Sequence, residues 1–243
     1  MRTRGLAAAA LCAAATLHPT APQDPAAPPL ETFRNLNGTF QIDLPKGWRQ
    51  VAPNEARTIG EHPAAPLALT LSQPRRFYAV GPVDAWLAGD FGGPWLYVVE
   101  QQDEWYVGDD YAEQLRASWR RETETSSVRH EVGEIRLLPI GTQAVESVVA
   151  VRTSTPPPPR RPLRSLDVHA PTVNQQITLS FACAPDAFAA RRPEFERWLA
   201  TLTFARVAAE QPTLTERLWT PILTGAVVGL VLVVLYRHTR RRR

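Results

Sequence analysis

The chain has 243 residues, with 27 basic and 24 acidic side chains and two cysteines. Its formal charge of +3 is unevenly placed: Arg2, Arg4 and five arginines beyond position 236 carry the excess, and the stretch between holds 20 basic against 24 acidic groups, a net of −4. The high pI therefore reports the two ends and excludes a basic nucleic-acid-binding surface.

Arg2 and Arg4 precede a short, Ala-rich apolar run from Gly5 to Leu17, the pattern of a cleaved signal peptide. Ala13 and Ala15 supply small residues for cleavage, so residues 1–15 are expected to leave, and Cys12 with them. Cys183 is then alone, and no intrachain disulfide is available. Residues 16–32 carry five prolines between Pro19 and Leu30 and read as an extended linker.

A folded domain is expected over residues 33–206. Phe40, Ile42 and Leu44 alternate with polar residues and end at Pro45-Lys46-Gly47, a strand closed by a turn. Leu67, Leu69 and Leu71 repeat the period of two and read as a second strand, and Trp95 to Gln101 as a third. The spacing predicts a helix from Asp110 to Arg121, with Asp110 and Glu113 forming a capping box and Tyr111, Leu115 and Trp119 facing the sheet. Glu134 to Ile140 and Gln143 to Arg152, separated by Gly141-Thr142, read as a hairpin.

Pro156 to Pro159 favour polyproline geometry and form either a surface loop or a recognition segment. Ile177, Leu179, Phe181 and Cys183 alternate strictly, which places Cys183 on a buried face as an inert thiol. A helix follows, with Pro193 in its first turn and Phe195, Trp198, Leu199 and Leu202 on one face.

These residues carry a family resemblance. The opening Phe40-x-Ile42-x-Leu44-Pro45-x-Gly47-Trp48, the strand Ile177 to Phe181, and Arg192-Pro193-x-Phe195 leading to Leu202-x-Phe204 resemble PsbP-like domains. The resemblance covers about residues 33–206 and implies an α+β fold, an antiparallel sheet flanked by helices in an α/β/α sandwich. It also implies a binding or assembly role in place of catalysis.

After a juxtamembrane linker at 207–217, residues 218–236 form a charge-free apolar stretch of 19 residues, which as a helix spans roughly 28 Å and reaches across a bilayer core. Arg237, Arg240, Arg241, Arg242 and Arg243 follow as a basic tail over 237–243 and anchor it in the cytoplasm by the positive-inside rule. The domain is thus expected outside the cytoplasmic membrane. The bias of 26 Arg to one Lys suggests a bacterial inner-membrane protein. Gly225 and Gly229 share one face of the apolar helix and would let a second copy pack closely, although the spacing also arises by chance.

No motif specifies a reaction, a metal or a cofactor. His62, His130 and His169 have no His or Cys partner at metal spacing, and there is no Gly-x-Ser-x-Gly elbow. A Ser-His-Asp site around His130 or His169, assembled from distant parts of the chain, stays open as a hydrolase alternative. Between Arg76 and Arg116 lie eight carboxylates, nine of the 20 aromatics and no basic residue. Glu100, Asp103, Glu104, Asp109, Trp105 and Tyr106 are the candidate ligand patch within it, since aromatic faces beside carboxylates suit cationic or sugar ligands. The competing reading makes the strand residues core and the aspartates helix caps.

Overall fold

A computed structural model describes residues 28–102, 110–173 and 175–207. The expected signal peptide, the apolar segment 218–236 with Gly225 and Gly229, and the tail arginines lie outside the described residues. Among the described residues no helix is long and apolar enough to cross a membrane.

The fold is α+β. Strands β1 (Leu30–Arg34), β2 (Phe40–Pro45), β3 (Arg49–Gln50), β4 (Phe77–Gly81), β5 (Trp95–Gln101), β6 (Arg129–Ile140), β7 (Val145–Thr155), β8 (Leu163–Thr172), β9 (Gln175–Cys183) and β10 (Thr203–Phe204) form two antiparallel sheets. The small one runs β1-β2-β10, the large one β3-β4-β5-β9-β8-β7-β6. Helices α1 (Pro53–Gly60), α2 (Val83–Leu87), α3 (Tyr111–Thr125) and α4 (Phe188–Ala200), with a 3-10 turn at Leu67–Thr70, cover the large sheet.

Period-two alternation splits the large sheet into two faces. Leu96, Val98, Leu166, Val168, Leu179, Phe181 and Cys183 project to one side and pack on Phe40, Ile42 and Leu44 of the small sheet and on Phe195, Trp198 and Leu199 of α4. This is the main core. The opposite face carries two separate apolar clusters. Trp95 and Ala182 pack under α1, α2 and the 3-10 turn, while Val148 and Ala150 pack under Tyr111, Leu115 and Trp119 of α3.

Phe40 to Leu44 form the expected strand, and Pro45-Lys46-Gly47 turns it, with the Trp48 amide donating to the Pro45 carbonyl at 3.1 Å. Cys183 is buried, and burial pushes its thiol up to about 11. The prolines at 156–159 lie in the connection between β7 and β8. The first strand begins at Leu30, three residues before the expected start of the domain.

Three expectations are corrected. Leu67–Thr70 is a 3-10 turn, and Leu71 after it belongs to no strand: only Leu69 of the three leucines is buried, and the Thr70 hydroxyl caps back onto the Leu67 carbonyl at 2.7 Å. Asp110 forms no capping box, because its backbone is already helical and its carboxylate accepts from the Gln114 side chain at 2.6 Å. Pro193 sits inside α4, whose start at Phe188 buries one more aromatic ring in the core. That packing offsets the helical hydrogen bond a proline cannot make.

Gly141 turns the β6–β7 hairpin at φ +69°, and the Thr142 amide ties this turn to the Leu202 carbonyl at 2.8 Å. A Cβ at position 141 would collide with that same carbonyl oxygen. Gly141→Ala is therefore expected to cost about 1–3 kcal/mol, measured by denaturant unfolding. A loss below about 0.5 kcal/mol, the range of neutral surface changes, would show that the turn relaxes freely.

Candidate functional site

The second face of the large sheet carries a groove of about 650 Å³, within the range of small-ligand sites. One wall is α3, with Leu115, Ser118 and Trp119; the other is the 3-10 turn with Leu67, and Leu71 just after it. The floor is built from residues of β5, β9, β8 and β7 that alternate with the main core. Cross-strand register places Tyr97 beside Ser180, Ser180 beside Asp167, and His169 beside Thr178.

At the β7–β8 side the floor becomes ionic. Arg152 Nε donates to Asp167 Oδ2 at 2.6 Å, and the Asp167 side chain is 1% exposed. Burial opposes ionisation of Asp167, but Arg152 outweighs it and holds the carboxyl below its ordinary range. Burial also opposes the guanidinium charge, and Asp167 with Glu122 restores it, holding the Arg152 pKa above its usual value. The guanidinium lies over the Trp119 ring at 5.3 Å, a cation–π contact that fastens α3 to the sheet.

Two histidines complete the network. Arg152 Nη1 donates to His130 Nδ1 at 3.2 Å, and Ser154 Oγ lies 3.0 Å from the same nitrogen. Because a guanidinium only donates, Nδ1 is the unprotonated nitrogen of His130. Its Nε2 faces Glu122 Oε1 at 3.4 Å, and the bond to His130 lowers the Glu122 pKa. His169 Nδ1 stands 3.1 Å from both Gln176 Nε2 and Thr178 Oγ1. Burial lowers its pKa to about 4, so the ring is neutral at pH 7.

Of the candidate patch residues, Glu100 projects from β5 toward the face opposite the groove. It is buried and accepts from Asn35 at 2.9 Å, Asn37 at 2.8 Å, Thr39 at 3.2 Å and Tyr78 at 2.9 Å. These neutral donors tie the β1–β2 turn onto the sheet. Asp103, Glu104, Trp105, Tyr106 and Asp109 lie outside the described residues. His130 and His169 both reach the groove, whereas His62 packs edge-on against Phe91 at 5.8 Å. Among the described residues no group of His, Cys, Asp and Glu has the arrangement of a metal site.

Sequence reasoning missed Arg152, Asp167, Tyr97 and Ser180. The available signal was Leu166-Asp167-Val168-His169-Ala170, an alternation whose polar members include an acid and a histidine next to a second alternating strand. Two neighbouring strands of this type place their polar residues together on one face.

No protein-family model and no curated protein matches the chain. Among solved structures it is similar to the solution structure of cyanobacterial PsbP from Synechocystis, with 11% identity over 77% of this chain and 99% of that one and a TM-score of 0.47. It is also similar to a Pseudomonas aeruginosa protein of unknown function, with 10% identity over 76% and 99% of the two chains and a TM-score of 0.35. A third similarity is to the Ran-binding protein Mog1p of Saccharomyces cerevisiae, with 9% identity over 70% and 85% and a TM-score of 0.40. The first of these neighbours is the type of domain that the sequence resembles; all three concern fold and carry no function across.

Proposed function

We propose that the chain is a single-pass membrane-anchored domain that binds a small ligand outside the cytoplasm, in the groove between α3 and the 3-10 turn. The observation that carries the binding reading is the groove: Leu115 and Trp119 on one wall and Leu67 and Leu71 on the other flank a polar, hydrogen-bonding floor, the mixture that gives small-ligand sites their affinity and their orientation. The anchoring reading rests on residues 218–236 and the arginines after them. Gly225 and Gly229 would bring two copies together within the bilayer.

A hydrolase reading has one observation in its favour. Ser154, His130 and Glu122 stand in the order nucleophile, base and acid, at 3.0 and 3.4 Å. Against it, the lone pair on His130 Nδ1 that would take the Ser154 proton already accepts from Arg152 at 3.2 Å. A base held by a buried cation is a poor proton acceptor, and the network serves better as a rigid floor than as a catalyst.

The experiment is native mass spectrometry of the full-length protein purified from membranes, compared with Ser180→Trp, which fills the groove floor. Wild type is expected to keep a small-molecule adduct that the folded variant lacks. Equal adducts on both, or none on wild type, would contradict groove binding. For the anchor, protease added to spheroplasts should degrade residues 30–210 and spare a C-terminal fragment. Protection of the whole domain, with the protease active on a known exported protein, would contradict the topology.

A further inference from the structure

We infer that the groove selects an organic ammonium ion with an apolar body, an assignment that rests on the groove being the ligand site. The charge balance of the floor and of the α3 wall carries it. Among the described residues there, Arg152 is the one cation, and it stands against two carboxylates, Asp167 and Glu122. His130 and His169 add no positive charge: the first is unprotonated at Nδ1, where it accepts from Arg152, and burial keeps the second neutral at pH 7. The interior is therefore one negative charge in excess. Arg161 also lines the groove, but it is exposed at the rim, where water and salt screen it.

The open acceptors agree with this balance. Arg152 reaches Asp167 through Nε and Oδ2 alone, and Asp167 Oδ1 accepts no hydrogen bond although the side chain is 1% exposed. A buried acceptor left empty costs about 1–3 kcal/mol, which a ligand N–H on the floor would recover. On the wall, Glu122 is half-exposed and held below its ordinary pKa, so it is ionised at pH 7. His130 Nε2, which carries the ring proton, faces Glu122 Oε1 at 3.4 Å, a long contact that leaves most of the carboxylate's acceptor sites open. An anionic ligand would place three negative charges around one guanidinium, and a neutral one would leave the excess in place. An ammonium ion makes two charges against two and brings donors for the open acceptors.

The register sets the shape of the ligand. Tyr97, Ser180 and Asp167 are successive cross-strand neighbours on β5, β9 and β8, so Tyr97 and Asp167 stand two strand spacings apart, about 9–10 Å. Ser180, on the strand between them, is small and leaves room above it. With its ammonium at Asp167 and Glu122, a ligand of hexyl or phenylethyl length lies over Ser180 and reaches the Tyr97 ring and the leucines at 67 and 71.

The test is isothermal titration of the full chain at pH 7 in dodecyl maltoside micelles, with hexylammonium and 2-phenylethylammonium as probes. The alcohols and carboxylates of similar length, 1-hexanol with hexanoate and 2-phenylethanol with phenylacetate, are the neutral and anionic counterparts. At least one ammonium ion is expected to bind with Kd below about 1 mM, at least about tenfold, or 1.4 kcal/mol, tighter than its alcohol and its carboxylate. Glu122→Gln, at a half-exposed position, should weaken it at least about tenfold at unchanged melting temperature. If neither ammonium ion binds, if a counterpart binds as tightly, or if Glu122→Gln binds as well as wild type, the ammonium assignment is overturned. A counterpart that binds more tightly than the ammonium ion and is lost from folded Ser180→Trp would overturn that assignment alone and leave the groove as a ligand site. An ammonium ion that binds Ser180→Trp as well as wild type would overturn both.

Discussion

Arg152→Met is expected to destabilise the domain by about 3–5 kcal/mol, the cost of leaving a buried charge without its partner. Asp167 is 1% exposed, and without the guanidinium burial would outweigh the smaller influences of His169 and Ser165 on its ionisation. The sign of its pH dependence should then reverse. In the wild type the carboxyl is held below its ordinary pKa, so its contribution is present above that value and lost as pH falls through the folded one. In Arg152→Met burial raises the folded pKa, so the variant's deficit relative to wild type should shrink as pH falls and Asp167 takes up a proton. Arg152→Met with Asp167→Leu removes both charges and should recover most of the loss, since apolar replacements of buried pairs are often neutral or stabilising. Chemical denaturation of wild type and both variants at pH 7 and pH 5 checks the loss, the narrowing of the deficit and the recovery. A loss under 1 kcal/mol for the single variant would mean that the pair is solvated and not part of the floor.

The second large effect belongs to His169. Its folded pKa is about 4 because it is buried, whereas an unfolded histidine titrates near 6.5. Between those values the unfolded chain binds a proton that the folded chain does not, so stability is complete above about pH 6.5 and declines as pH falls toward 4. The decline amounts to about 3 kcal/mol at 1.36 kcal/mol per pH unit. Asp167 and Glu122, both held below their ordinary values, add their own losses only below about pH 4.5, so the upper part of the window reports the histidine. His169→Gln should flatten the slope between pH 6.5 and 5. An unchanged slope would mean that His169 takes up its proton in the folded state, with Thr178 and Gln176 turned away.

The elements of the main core were legible because their signal is one-sided. Phe40 to Leu44 and Ile177 to Cys183 alternate cleanly between apolar and polar, and Phe195, Trp198 and Leu199 share a helical face. The groove was less legible because the sheet is covered on both faces. Ser165, Asp167 and Ser180 occupy the alternate positions that a sheet with one wet face gives to water, yet all three are buried. Leu67 to Leu71 misled for the opposite reason: three leucines at a spacing of two mimic a strand, while the chain there takes 3-10 geometry that buries Leu69 and leaves Leu67 and Leu71 exposed in the groove wall. Glu100 shows the limit of composition as a guide. It belongs to an acidic, aromatic stretch, but strand parity turns it away from Tyr97 and Val99 and into a cluster of side-chain donors.

The groove as the ligand site is tested most directly by placing a photo-crosslinking amino acid at Ser118, which faces the groove from α3, and at Arg120, which is exposed on the same helix and does not line it. Each variant would be expressed in full length, irradiated in cells, purified and weighed by mass spectrometry. A small-molecule adduct at position 118 and none at position 120 is the predicted result. Adducts of equal yield at both positions, or at position 120 alone, would contradict it.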